Sequence, residues 1–246
     1  MEAARQGNAN AGHEHDYVSQ QDAMERAEQQ RAQDRVDEYN RQQDIAQDYR
    51  VQASEGNGQV ARDQDYLARI GDVTSDVIND TDVIKGYDGT NNTWCNRALD
   101  RMLAELGVDH DSILLPEEVN YKDKNGEKSS LQYTRANDMA DLASEAAKDP
   151  TSGVKEVTAA EAQALANGGA AVIVTYRNYN DSNNDGISDS GHVALVVPDN
   201  DPYNSGKGPQ IAQAGSKNFD SKDEAYVSDG FKTPWKNGEV NFYVLD

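Results

Sequence analysis

The sequence predicts an α+β protein, with helices first and an antiparallel sheet afterwards. Apolar residues recur at spacings of three and four in the middle of the chain, most clearly over residues 95–107, which is typical of an amphipathic helix. β-Branched runs dominate the last third of the chain, where we expect strands. No internal repeat is visible. Helices and strands are therefore segregated along the sequence, as in α+β folds.

Residues 1–62 are predicted to form a polar, Gln-rich N-terminal arm that is helical or disordered. The arm has few large aliphatic residues, so it cannot form a core by itself. Residues 20–52 contain good helix formers and neither Pro nor Gly. Apolar content rises from Asp63, and we expect residues 63–246 to form the folded domain.

The helix around the cysteine is predicted to begin after an N-cap at Asn92 or Thr93 and to end at Gly107, a typical left-handed C-cap. Further helices are predicted at 136–148 and after the capping box that begins at Thr158. Strands are predicted in four β-rich stretches: 171–176, 192–197, 209–215 and 240–245.

Charge and composition exclude several classes of function. The 246 residues carry 44 Asp and Glu against 23 Lys and Arg, a formal charge of −21, which argues against nucleic-acid binding. The sequence lacks an apolar run of about 18 residues, so no membrane span is expected. Residues 1–6 lack the features of a secretory signal. We therefore expect synthesis in the cytoplasm without a Sec signal.

The single cysteine, Cys95, lies in the first turn of its predicted helix. Unpaired N–H groups and the helix dipole favour an anion there, so the thiol is expected to ionise readily. The alternative is a buried structural cysteine. Of the four histidines, two lie in the arm and His110 stands beside two Asp, where we expect it to be solvated. Only His192 opens an apolar strand, and it is the candidate base.

Three short motifs occur in the order of a known family: Trp94-Cys95 at a helix start, residues 191–194 (Gly-His-Val-Ala) at a strand start, and residues 211–216 on the next strand. Over residues 80–246 the chain resembles the papain-fold peptidoglycan hydrolases of the NlpC and CHAP kind. The resemblance implies a papain-like fold in which the nucleophile helix packs on an antiparallel sheet.

The same resemblance implies that Cys95 is the nucleophile, that His192 is the base and that a polar residue on the following strand orients the base. Gln213 is the candidate for this third role, and Asn218 and Asp220 are alternatives. The oxyanion would be bound by the Cys95 backbone N–H together with one side chain from a polar loop, for which the candidates are Asn91, Asn92 and Tyr87.

The implied activity is an amidase or endopeptidase acting on peptidoglycan stem peptides, without an organic cofactor. Family context suggests an antibacterial effector, such as one delivered by type VI secretion, or a phage lysis or tail enzyme. It would act in the target-cell periplasm or outside the cell, and its further partners would be an immunity protein and a secretion-machine component. The alternatives are a protein-directed cysteine protease or deamidase toxin, and a non-enzymatic calcium-binding module.

The acidic loop before His192 matches the first nine positions of a calcium loop. Oxygen ligands would be the side chains at positions 1, 3, 5 and 9 and the carbonyl at position 7: Asp181, Asn183, Asp185, Asp189 and Ile187. Position 12 would be His192, a poor ligand for a hard cation, so modest affinity is expected. The alternative is an ion-free hairpin loop.

Overall fold

The computed structural model of the chain describes Gln33 and residues 59–80, 94–114, 121–122, 128–129, 134–182 and 189–245. All elements below belong to one unit, Gln42–Asp246. Its helices are α1 (Gln59–Asn79), α2 (Cys95–Leu106), α3 (Ala136–Ala146), α4 (Ala159–Gly168), α5 (Val227–Gly230) and α6 (Lys232–Asn237), with a 3₁₀ turn at Asp111–Ile113. Its strands are β1 (Tyr121–Lys122), β2 (Lys128–Ser129), β3 (Val154–Val157), β4 (Ala171–Tyr176), β5 (His192–Val196), β6 (Ile211–Ala212) and β7 (Val240–Leu245).

The main sheet has five strands in the order β3-β7-β4-β5-β6, and every neighbouring pair is antiparallel. A separate two-stranded pair joins β1 to β2. In the β4–β5 ladder the last residue of β4, Tyr176, pairs with the first residue of β5, His192. The predicted α+β class with an antiparallel sheet is confirmed.

Helices cover both faces of the sheet. On one face, α1, α2 and α3 pack in a core cluster with alternate strand residues such as Ile173 and Leu195. On the other face, α4, α5 and α6 pack in a second cluster with the adjacent strand residues, such as Val172 and Val196. Successive strand residues point to opposite faces, and both faces of β4 and β5 are buried, so these strands are mostly apolar. Helix α2 packs on the sheet through β5.

Helix α2 forms where its apolar spacing predicts it, and its stripe is buried: Ala98, Leu99, Met102, Leu103 and Leu106. Gly107 closes the helix at φ 74°, the left-handed conformation that favours glycine. The predicted N-cap is wrong, because Trp94 and not Asn92 or Thr93 holds that position. Cys95 is therefore the first residue of the helix.

Two strands differ from expectation. β3 was not predicted because its core, Lys155-Glu156, is charged, and the strand is tolerated at the edge of the sheet where only β7 pairs with it. β6 is shorter than the predicted 209–215. On either side of it, Gln210 bridges to Tyr226 and Gln213 to Phe219, and the Gln210 carbonyl also accepts from the backbone N–H of Val197, just after β5.

Helix α1 begins at Gln59, so it crosses the predicted boundary between arm and domain at residue 62. Its buried face belongs to the same core as α2: Tyr66, Ile70, Val73, Val77 and Ile78. The rest of the predicted arm lies outside the described residues, apart from Gln33, and stays a prediction. None of the helices among the described residues is long and apolar enough to cross a membrane.

Candidate active site

The thiol of Cys95 stands at the start of α2. Trp94 takes the N-cap position, and its indole can donate but cannot accept a hydrogen bond, so the Trp94 side chain does not cap the first turn of the helix. The Asn96 backbone contributes one hydrogen bond to the thiol, and Val193 of strand β5 contributes another. The thiol is half-buried. An anion at Sγ would therefore meet hydrogen-bond donors from both the helix and the sheet.

His192 links the thiol to Gln213. Its Nε2 lies 2.7 Å from Gln213 Oε1, and it also makes a hydrogen bond with Cys95. The Gln213 amide is oriented by its own Nε2, which donates to the Lys217 carbonyl at 3.1 Å, so that Oε1 faces the imidazole. An amide oxygen only accepts, hence His192 Nε2 carries a proton. This leaves Nδ1 as the ring nitrogen for the thiol.

The electrostatics of the pair favour a thiolate and an imidazolium. Burial alone would raise the pKa of the Cys95 thiol, but the charge and hydrogen bond of His192, with the backbone bonds from Val193 and Asn96, outweigh burial and lower it. Burial would likewise lower the pKa of His192, yet the Cys95 charge and hydrogen bond and the Gln213 bond raise it. A cysteine activated in this way is a nucleophile near neutral pH.

Close packing fixes the imidazole and the amide. The Phe231 ring lies 4.7 Å from the His192 ring, centroid to centroid, with a 52° tilt. A Cβ on Gly230 would stand 2.3 Å from Gln213 Oε1, and one on Gly215 would stand 3.2 Å from His192 Cε1. Gly230 is therefore needed to admit the Gln213 amide, whereas a side chain at Gly215 would crowd the imidazole less severely. Neither glycine was singled out from the sequence.

The other candidates for the third role have different partners. Asn218 Oδ1 accepts from the Gly215 backbone N–H at 3.1 Å, and Asp220 Oδ1 accepts from the Lys222 backbone N–H at 2.7 Å. These bonds close turns in the segment after Gln213. Of the three predicted alternatives, Gln213 is the one whose hydrogen bond with His192 is described.

The predicted oxyanion side chains, Asn91, Asn92 and Tyr87, lie outside the described residues. The predicted calcium ligands Asn183, Asp185 and Ile187 do so as well.

Asp181 and Asp189 flank that undescribed part of the predicted calcium loop. Both carboxylate oxygens of Asp189 accept from the Ser182 hydroxyl, at 2.9 and 2.7 Å. The Asp189 backbone N–H donates to the Asn180 carbonyl, which closes the base of the loop. Within the described ranges no group of three or more His, Cys, Asp and Glu residues could hold a metal ion. The calcium site stays a prediction.

His110 is not solvated as expected. It is 8% exposed, its Nδ1 lies 2.8 Å from the Val108 carbonyl oxygen, and its Nε2 lies 2.9 Å from Asp100 Oδ1. Asp100 precedes it by ten residues on α2, a spacing that no sequence motif marks. Asp100 lies midway along α2, and His110 follows the end of that helix.

The sequence of the whole chain was compared with known proteins. No protein-family model matches the sequence, and a search of curated proteins found no match.

Proposed function

We propose that the protein is a papain-like cysteine hydrolase that cleaves amide bonds of bacterial peptidoglycan. The observation that carries the proposal is the hydrogen-bonded series from Cys95 through His192 to Gln213, at the junction of a helix start and a strand start. A nucleophile, a base and a group that orients the base are the parts that acyl transfer needs.

In the proposed reaction, the Cys95 thiolate attacks the amide carbonyl carbon and forms a tetrahedral intermediate. The Cys95 backbone N–H, at the start of α2, stabilises the negative oxygen, because a helix N-terminus favours an anion. The intermediate collapses as the C–N bond breaks, and the imidazolium of His192 gives its Nδ1 proton to the leaving amine. Water then attacks the thioester while His192 takes a proton from it, which releases the acid and restores the thiol pair.

Gln213 acts on the base alone. Its Oε1 accepts from His192 Nε2 in both protonation states of the ring, so the imidazole can lose and regain the Nδ1 proton without turning. Gln213 is 3% exposed, and water therefore competes little for this bond. The amide is neutral, so it fixes the ring with less added stabilisation of the imidazolium than a carboxylate would give.

The substrate class is supported by the order and local context of the three motifs, which resemble those of peptidoglycan hydrolases. Digestion of purified peptidoglycan by the parent and by Cys95→Ala, with mass spectrometry of the new ends, tests it. New ends at the N-acetylmuramoyl-alanine amide identify an amidase, and ends between stem-peptide residues identify an endopeptidase. Intact peptidoglycan beside a cleaved or deamidated protein substrate would instead support the protein-directed alternative.

Delivery as an antibacterial effector, with an immunity protein and a secretion-machine component as partners, is proposed from the same resemblance. Expression of the parent in the periplasm of a test bacterium should cause lysis, and expression of Cys95→Ala should not. Equal growth of the two strains would contradict an action on the wall.

A calcium ion in the loop before His192 is proposed from the sequence pattern. Asp189 lies three residues before the base, so an ion there would steady the start of β5. Titration calorimetry of the parent and of Asp185→Ala with calcium, and peptidoglycan digestion with and without a chelator, test this idea. An absence of binding heat together with chelator-insensitive digestion would reduce the loop to an ordinary turn.

A further inference from the structure

The loop between β4 and β5 is held at both ends by one buried side chain. Asn137, the second residue of α3, is 6% exposed, and its Oδ1 accepts from the Asn178 backbone N–H at 3.0 Å. Its Nδ2 donates to the Asp189 carbonyl at 2.8 Å and to the Asn178 carbonyl at 3.3 Å. Asn178 follows the end of β4 by two residues, and Asp189 precedes His192 by three. Both amide donors and the amide oxygen are thus used to hold the two strand ends together.

Gly191 leaves the space that the Asn137 side chain occupies. A Cβ on Gly191, the residue immediately before His192, would lie 2.2 Å from Asn137 Oδ1 and 2.4 Å from the Tyr176 carbonyl oxygen. Only glycine allows such an approach of side chain and backbone. The contact with Asn137 therefore lies one residue from the proposed base.

The start of α3 is also tied to the nucleophile. Asn96, the residue after Cys95, donates from Nδ2 to the Thr134 carbonyl at 2.8 Å, and Thr134 precedes Asn137 by three residues. Residues 134–137 thus contact the chain beside Cys95 through one amide and the chain beside His192 through another. These residues therefore link the segments that carry the Cys95 thiol and the His192 imidazole. The distance between those two groups decides whether a proton can pass from one to the other.

We propose that Asn137 is a positioning residue that sets the place of His192 relative to Cys95. The inference rests on the proposed function only in taking these two residues as the reacting pair. Asn137 touches neither residue's reactive atoms. Its effect passes through the backbone of residues 189–191, where the strand that carries the base begins.

A second link between α3 and the same loop supplies a matched control. Arg177 Nε donates to both carboxylate oxygens of Asp141 at 2.9 Å, and the Asp141 side chain is 53% exposed. This exposed ion pair joins the same helix to the same loop, but at the end near β4. An exposed pair contributes little to positioning because solvent screens it. Asp141→Ala therefore removes a connection of the same kind without touching the chain before His192.

The test is the pH midpoint for alkylation of the single cysteine by iodoacetamide, measured on folded, full-length protein. Asn137→Ala should raise the midpoint by about one pH unit or more, which is a tenfold loss of thiolate at a given pH. Asn137→Ser should cause a smaller rise in the same direction, and it decides the matter if Asn137→Ala does not fold. Asp141→Ala should keep the parent's midpoint.

A folded Asn137 variant with a lower melting temperature and the parent's midpoint would overturn the proposal, since that is what a merely structural residue gives. An equal rise in Asp141→Ala would overturn it too, because any loosening of the loop would then suffice. The readout needs no substrate. Failure of the positioning role is therefore distinguishable from failure of the peptidoglycan assignment, which digestion alone decides.

Discussion

Two buried histidines contact helix α2, and the two differ in what they can do. At the helix start, His192 meets the Cys95 thiol and the Gln213 amide. Midway along the helix, His110 meets the Asp100 carboxylate, and it also meets the Val108 carbonyl beyond the helix end. Both histidines use both ring nitrogens, and in both the pKa is raised although burial alone would lower it.

The partners explain the difference. Asp100 and Val108 both offer only acceptors, so the protonated ring, in which both nitrogens donate, satisfies both partners of His110. Cys95, in contrast, is a thiol whose charge depends on His192, so a proton can move within that pair. Burial and a raised histidine pKa are therefore common to both pairs, whereas the nature of the partner separates a structural ion pair from the proposed reactive one.

The largest expected contrast is in turnover. His192→Ala should lower peptidoglycan cleavage by about a thousandfold or more, because the thiolate and the proton donor are lost together. His110→Ala should leave the rate within about tenfold, because the His110 ring bonds to Asp100 and Val108, which are not part of the proposed active site. Cleavage rates of both folded variants give the comparison. A similar loss in the two variants would mean that the pairs are not functionally distinct.

A smaller contrast is expected between two buried glutamines of the same segment. Gln213→Ala should lower kcat by about a hundredfold, since a misaimed base costs about that much. Gln210→Ala is the matched control. Gln210 lies three residues before Gln213 and is 4% exposed, but its side chain donates to the Ser221 carbonyl. Equal kcat in the Gln213 variant and the parent would remove Gln213 from the site.

The smallest contrast concerns stability and its pH dependence. The pKa of His110 is raised in the folded state. Its pair with Asp100 therefore contributes its full stabilisation of the fold at pH values below the unfolded pKa of about 6.5, and this stabilisation is lost as the pH rises through the folded pKa. His110→Gln should lower the free energy of unfolding by about 1–3 kcal/mol at acidic pH. The gap to the parent should narrow at alkaline pH.

Urea unfolding of the parent and of His110→Gln at about pH 5.5 and pH 9, on either side of the histidine range, measures that gap. His192 titrates in both proteins, so its contribution cancels from the difference. A gap that stays constant or widens as the pH rises would show that His110 is not held as a cation.

Local rules account for what the sequence could predict. The apolar period of α2, the glycine at its end and the β-branched runs of β4, β5 and β7 are all decided within about ten residues, and those elements form as expected. His192 was distinguishable because it opens an apolar strand. Gln213 became a candidate because the resemblance to papain-fold hydrolases implies a polar residue on the next strand, where Gln213 lies two positions past Ile211.

Long-range contacts account for what the sequence could not predict. His110 looked solvated because its neighbours are Asp, whereas its partner Asp100 is brought to it by the turn after α2. Asn137 lies 52 residues from the carbonyl that it holds before His192. Such bonds depend on how α3 packs against the sheet, and no local pattern encodes that.

The pairing of Cys95 with His192 is tested most directly by the pH dependence of Cys95 alkylation in the parent and in His192→Ala. The chain has one cysteine, so the rate reports on one thiol. The parent's midpoint should lie below the ordinary cysteine value of about 8.5, and His192→Ala should raise it to that value or higher, because only the backbone hydrogen bonds from Val193 and Asn96 then oppose burial. Coincident midpoints in the two proteins would show that His192 does not sustain the thiolate, and would contradict the reactive pair at the start of α2.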